Sequence, residues 1–123
     1  MLGHLTGRQL LRRPGYELDI NRVIGACAKY DVAIEINGNP WRLDLDWRWH
    51  QRAIELGCLF SINPDAHSIR EIDSSTHWGV AVARKGGVTP DHVVNALDAV
   101  AFAQWLERRR TKRDAGSKQE EFA

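Results

Sequence analysis

Two short apolar runs set the frame for this chain. "VAIEI" (residues 32–36) and the "CLFSI" run (residues 58–62) are rich in β-branched and large apolar residues and read as strands. Between them lies a segment long enough for a helix and opened by turn residues, "NGNP" at 37–40. Strands that alternate with helices pair in parallel and are joined by right-handed crossovers. The expected fold class is therefore α/β. A parallel sheet needs cover on both faces and more than two strands. A third strand is expected to end at Met1-Leu2-Gly3.

The helices follow from apolar spacing. Ile20, Val23, Ile24 and Cys27 recur at intervals of three and four, which predicts a helix over Leu18–Tyr30. From Asp46, a second helix places Leu45, Trp49, Ala53 and Leu56 on one stripe, with Gly57 closing it in the left-handed conformation. Ser68 with Glu71 three residues later has the form of a capping box, so a third helix is expected just after His67, ending at Gly86. Thr89-Pro90-Asp91 predicts a fourth, burying Val93, Leu97, Val100, Ala101 and Trp105. From Arg108 the apolar pattern stops. Residues 107–123 hold six Lys or Arg against four Asp or Glu and are expected to be a charged, disordered tail.

Composition excludes some classes. Hydrophobic residues make 43% and charged residues 27%, the balance of a globular domain, and the net charge of +1 argues against a wholly polyanion-binding surface. No apolar run approaches the roughly 18–20 residues of a membrane span, and the N-terminal residues lack a signal-peptide core. No membrane association and a cytoplasmic location are the expectation. Cys27 and Cys58 sit in apolar contexts and are expected to be buried, reduced thiols.

Chemistry gathers at the strand ends. His4 follows the first expected strand, Glu35 and Asn37 leave the second, and Asp65 and His67 follow the third. In parallel α/β folds, functional groups collect on that rim. Imidazole and carboxylate suit Zn²⁺ or Mn²⁺. A lone Asp-x-His pair is equally a loop hydrogen bond. His50, His77 and His92 are expected to face solvent. Trp41 and Trp105 are expected to pack, whereas Trp47 and Trp49, two apart, cannot both do so.

The pieces "LGHLTGRQLLRRPGYELDI", "AIEINGNPWRLDLDWRWHQRAIELGCLFSINPDAHS" and "WGVAVARKGGV" resemble the PHP (polymerase and histidinol phosphatase) domain. They look most like the PHP domain at the C-terminus of bacterial family-X DNA polymerases. The resemblance runs from about Met1 to Trp105. It implies a TIM-like, distorted β/α barrel, residues 1–106 being its C-terminal part, with divalent metal ions (manganese or zinc) at the rim. It implies a metal-dependent phosphoesterase that removes nucleotides or phosphates from DNA 3′ ends through metal-activated water. It assigns His4, Asp65 and His67 as metal ligands. Arg8 and Arg42 match motif positions and are candidates for phosphate contact, or else for ion pairs with Asp44 or Asp46. Glu35 and Asn37 are expected to shape the rim. The family's opening H-x-H strand is not in these residues. A complete barrel of this kind takes roughly 200–250 residues, so the expectation is a partial domain that works with a missing N-terminal half or by self-association. The alternatives are a non-catalytic partial domain and a hydrolase of small phosphate esters such as a histidinol phosphatase.

Overall fold

A computed structural model describes the backbone of residues 1–120 and the side chains of residues 1–112. Its elements, in order, are α1 (Ile20–Lys29), β1 (Ile34–Asn37), α2 (His50–Glu55), β2 (Phe60–Asn63), α3 (Ile69–Lys85) and α4 (Ala99–Glu120). β1 and β2 pair in parallel, with Ile34 opposite Phe60 and Asn37 opposite Asn63. Single parallel bridges extend this pair on both sides. Leu2 pairs with Ile34, and Val93 pairs with Phe60. Four extended positions thus stand side by side in chain order. The expected strand end at Leu2 is present, anchored by Leu2 N to Ala33 O and Glu35 N to Leu2 O, both 2.9 Å.

The two faces of the pair differ in chemistry because side chains alternate along a strand. Ile34, Ile36 and Phe60 point into an apolar core with Ile24 and Cys27 of α1, Ala53 of α2 and Ala83 of α3. Glu35, Asn37 and Ser61 are buried on the opposite face. Both cysteines are free and buried. Burial pushes the Cys58 thiol up to about 11 and raises Cys27 as well, so both stay protonated and behave as small apolar groups. A second cluster joins Ala33, Val94 and Trp105, so α4 is pinned by its one deeply buried tryptophan.

Local chemistry explains the helix ends. Asp19 caps α1 by accepting from Arg22 N at 3.0 Å. Gly57 closes α2 at φ +80°, as its position predicts. At α3, Glu71 accepts from His67 N at 2.7 Å and from the Ser68 hydroxyl at 3.1 Å. The carboxylate therefore reaches back as in a capping box, but one residue further than expected. α3 meets β1 at two glycines: a Cβ on Gly38 would strike the Ser75 carbonyl oxygen, and one on Gly79 would sit 3.2 Å from Gly38 Cα.

Trp41, expected to pack, is 47% exposed, and Val100, expected on the buried face of the fourth helix, is 68% exposed. Four further expectations change. The second helix opens as a 3₁₀ turn, Trp47–Trp49, capped by Asp46, and becomes α-helical only at His50. The fourth helix begins at Ala99 rather than near Pro90. Two 3₁₀ turns, Pro90–His92 and Val94–Ala96, flank an extended Val93 that bridges to β2. Sheet pairing outweighs the helical spacing here. The Asn95 amide supports it by accepting from Ile62 N at 2.9 Å and donating to Ile62 O at 2.8 Å, in the manner of a strand backbone. α4 also continues through Glu120, into the segment expected to be a disordered tail. Glu, Arg, Lys and Gln are good helix formers, and a helix started by packed residues propagates through them without an apolar face. Residues 121–123 of that segment lie outside the described residues.

The fourth change is His50, which is fully buried rather than solvent-facing. Its ring lies 5.2 Å from that of Phe60, and Nε2–H donates to Leu45 O at 3.2 Å. Nδ1 is buried without a hydrogen-bond partner. Burial is the main cause that pushes the imidazole pKa below its ordinary value. The unfolded chain therefore takes up this proton near pH ~6.5 and the folded chain only at lower pH. Stability should fall as pH drops through ~6.5, and His50→Gln should flatten that fall in urea midpoints measured between pH 8 and pH 5.5. A second outcome follows from the glycine contact. Gly38→Ala should cost ~3 kcal/mol, the upper end for overpacking, because a carbonyl oxygen cannot rotate away. Urea denaturation checks it.

Candidate functional site at the strand ends

The polar face of the sheet continues into the loops at its C-terminal edge as one hydrogen-bonded chain. The Ser61 hydroxyl donates to Asn63 Oδ1 at 3.0 Å, and Asn63 Nδ2 donates to Glu35 Oε1 at 2.9 Å. Glu35 Oε2 accepts from His4 N at 2.6 Å and more weakly from Asn37 Nδ2 at 3.4 Å. Asn37 Nδ2 also donates to Asp65 Oδ2 at 3.1 Å, and Arg42 Nε meets the same oxygen at 3.0 Å. The expectation that Glu35 and Asn37 shape the rim describes their geometry: Glu35 holds the His4 backbone, and Asn37 holds the Asp65 side chain.

Three backbone positions at this edge lie in the left-handed region without being glycine: His4 at φ 28°, Leu43 at φ 43° and Asp65 at φ 49°. Such conformations persist where surrounding bonds over-determine them, and they concentrate at functional sites. Asp65 is held in that way. Its side chain meets Asn37 and Arg42, its carbonyl accepts from Asn39 Nδ2 at 3.4 Å, and His67 Nδ1 lies 2.9 Å from the same carbonyl. A carbonyl only accepts, so His67 carries its proton on Nδ1 and presents Nε2 as the acceptor nitrogen. The His67 side chain is 74% exposed.

A second layer braces the loops behind the rim. Asp44 is fully buried, and its Oδ2 accepts from Thr6 N at 2.9 Å and Gly7 N at 3.1 Å. Arg8 donates to Asp46 at 2.8 Å, to Arg42 O at 2.9 Å and to Leu43 O. Arg48 adds a second cation to Asp46 at 2.9 Å. The Arg48 hydrogen bonds, followed by the Arg8 contact, outweigh the opposing effect of burial and hold the Asp46 carboxyl well below the usual carboxylate range. That stabilisation is present above pH ~3.9 and is lost as pH falls below it. Of the two candidate phosphate contacts, Arg8 thus takes the ion-pair arrangement with Asp46. Arg42 pairs with Asp65, a partner not weighed from sequence.

Asp65, His67 and Arg42 come together in this way. His4 follows the extended segment on the far side of β1 from Asp65 and His67, and its backbone N–H is linked to Asp65 through Glu35 and Asn37. His67 presents an acceptor nitrogen of the kind metal ions take. Among the described residues, however, no three His, Cys, Asp or Glu side chains gather closely enough to hold a metal ion. These residues do not make a metal centre by themselves. Asn63 was missed in the sequence, and Asp44, weighed there only as an ion-pair partner for an arginine, instead accepts from backbone N–H groups. Asn63 ends a strand opposite Asn37, which could have marked it; a buried Asp44 has no sequence signal. The larger surface hollows, about 570 and 450 Å³, lie along α4 away from these residues.

No protein-family model matches the chain. It is 40% identical over 108 residues to a Bacillus subtilis (strain 168) protein named DNA polymerase/3′-5′ exonuclease PolX. That match takes in 88% of this chain and 19% of the relative, so the chain spans about a fifth of the length of the protein it matches. The match agrees with the polymerase branch of the resemblance read from the motifs. No helix among the described residues is long and apolar enough to cross a membrane.

The polar face yields a direct test. Glu35→Ala leaves His4 N and Asn63 Nδ2, both partly buried, without their acceptor, at no more than roughly 1–3 kcal/mol for each. The urea midpoint should fall, and the amides of Leu2 and His4 should exchange faster with deuterium.

Proposed function

We propose that this chain forms part of a PHP-type, metal-dependent phosphoesterase of the family-X DNA polymerase kind, acting on DNA 3′ ends. The observation that carries the reading is the strand-end constellation, His4, Asp65, His67 and Arg42, borne on a segment 40% identical to a named 3′-5′ exonuclease. Four parallel extended positions in chain order, apolar on the helix side and polar on the other, support a sector of a β/α barrel whose inner face lines the site. His4, Asp65 and His67 offer donors to divalent ions, manganese or zinc, with the remaining ligands contributed from outside these 123 residues. Arg42 pairs with Asp65, one of the candidate ligands, and its nearness to them supports it as the cation that meets a phosphoryl oxygen.

The test places this sector in a whole protein. The matched segment of the Bacillus subtilis relative is replaced by this chain, and manganese-dependent release of nucleotides from a 3′-labelled oligonucleotide is measured beside hydrolysis of a generic phosphate ester. Activity on the oligonucleotide should survive the exchange. His67→Ala should lower it at least a hundredfold, more than the roughly 10–100-fold typical of residues that only support a ligand. A folded chimera that is inactive where the parent is active would refute the reading. Activity on the small ester alone would favour the histidinol-phosphatase-like alternative.

A further inference from the structure

The loop from Leu5 to Tyr16 is built yet takes no part in the ligand geometry. It leaves the strand end at Leu2 and closes on itself through Tyr16 N to Thr6 O at 2.8 Å and an antiparallel bridge between Gln9 and Arg13. It is fastened to the loop after β1 by Leu10 N to Trp41 O at 2.6 Å. At its tip Leu11 is 100% exposed and left-handed at φ 61°. Such a backbone costs about 1–2 kcal/mol in an L-residue, and the side chain recovers none of it by packing. Beside Leu11, the Arg12 guanidinium lies 4.1 Å over the ring of Trp41, which is 47% exposed. Trp41 directly precedes Arg42, the residue that meets Asp65.

The charge of this loop is one-sided. Residues 1–16 contain Arg8, Arg12 and Arg13 and no Asp or Glu. Arg8 is taken up by Asp46, whereas Arg12 and Arg13 are exposed. An exposed indole with a stacked guanidinium, an apolar tip and two cations is the composition that holds single-stranded nucleic acid. Bases stack on the aromatic face and phosphates meet the arginines, and apolar side chains wedge between bases.

We infer that Trp41, Arg12, Arg13 and Leu11 form a docking surface for single-stranded DNA, which delivers a strand end to the rim at Arg42 and Asp65. Trp41 stacks one base, Leu11 wedges beside it, and the two arginines meet the backbone. This rests on the reading of the rim as a DNA-end site, but it concerns binding alone.

The experiment measures fluorescence polarisation of 5′-labelled oligothymidine, and of an abasic strand of equal length, with the 123-residue chain in EDTA. Oligothymidine should bind about 5- to 150-fold more tightly, the effect of one stacked base. Trp41→Ala should abolish that preference and Trp41→Phe should keep most of it, which separates stacking from a folding defect. Arg12→Ala with Arg13→Ala should weaken both strands alike. Each arginine removed leaves one phosphate without its cation, worth ~0.7 in the slope of log K against log salt, so the double variant should lower that slope by about 1.4. The proposal is overturned if the chain binds both strands equally, or if Trp41→Ala keeps the full preference. No hydrolysis is read, so the two ideas fail separately. A chimera active at 3′ ends with an unaltered Trp41→Ala preference sinks only the docking surface. Intact base preference beside an inactive chimera sinks only the phosphoesterase reading.

Discussion

The Glu35 carboxylate is the interaction on which the strand-end architecture depends. It sits on the polar face of β1, nine per cent exposed, and bonds to the neighbours on either side: the His4 backbone from the first strand end and the Asn63 amide from β2. Three consecutive strand ends are thereby tied at one carboxylate. A buried acid is tolerated only where hydrogen bonds replace its lost water. Here those bonds also set the positions of the candidate ligands. Asn37, bonded to both Glu35 and Asp65, passes the constraint on to the loop that carries Asp65 and His67.

The apolar side of the sheet and this polar side do different work. Ile34, Ile36 and Phe60 supply burial against α1, α2 and α3 and hold the parallel register. That register places Asn37 opposite Asn63, and a slip of one residue would turn the polar side chains into the apolar core. Outside the rim, Asp44 and Asp46 anchor the loops after Leu2 and β1 to one another through Thr6, Gly7 and Arg8. A rigid frame thus carries a shell of exposed side chains, His4, His67, Leu11 and Trp41, that are available to a ligand.

Much of this architecture is legible in the order of the residues. Both strands, the helices from Asp19 and from Ser68, the turn at Gly57 and the strand end at Leu2 follow from local apolar spacing and capping residues. The failures share one cause. Val93 has helical spacing but is extended, because a sheet position beside Phe60 was open to it. His50 looks like a surface residue of a short helix, yet Phe60 and the Leu45 carbonyl enclose it. α4 runs beyond its apolar residues because Trp105 anchors it from another part of the chain.

By itself, then, the sequence determined the α/β alternation, the ends of α1 and α3 to within about two residues, the turn at Gly57 and which residue types would stand at the strand ends, because spacing, capping and turn chemistry act over a few residues. Only the tertiary structure decided that Glu35 would hold two neighbouring strand ends, that Arg42 would meet Asp65 while Arg8 met Asp46, and that Trp41 would carry Arg12 over its face. Each of those pairings joins groups far apart along the chain. Burial and electrostatics select among such partners only after the register has brought them within a few ångströms.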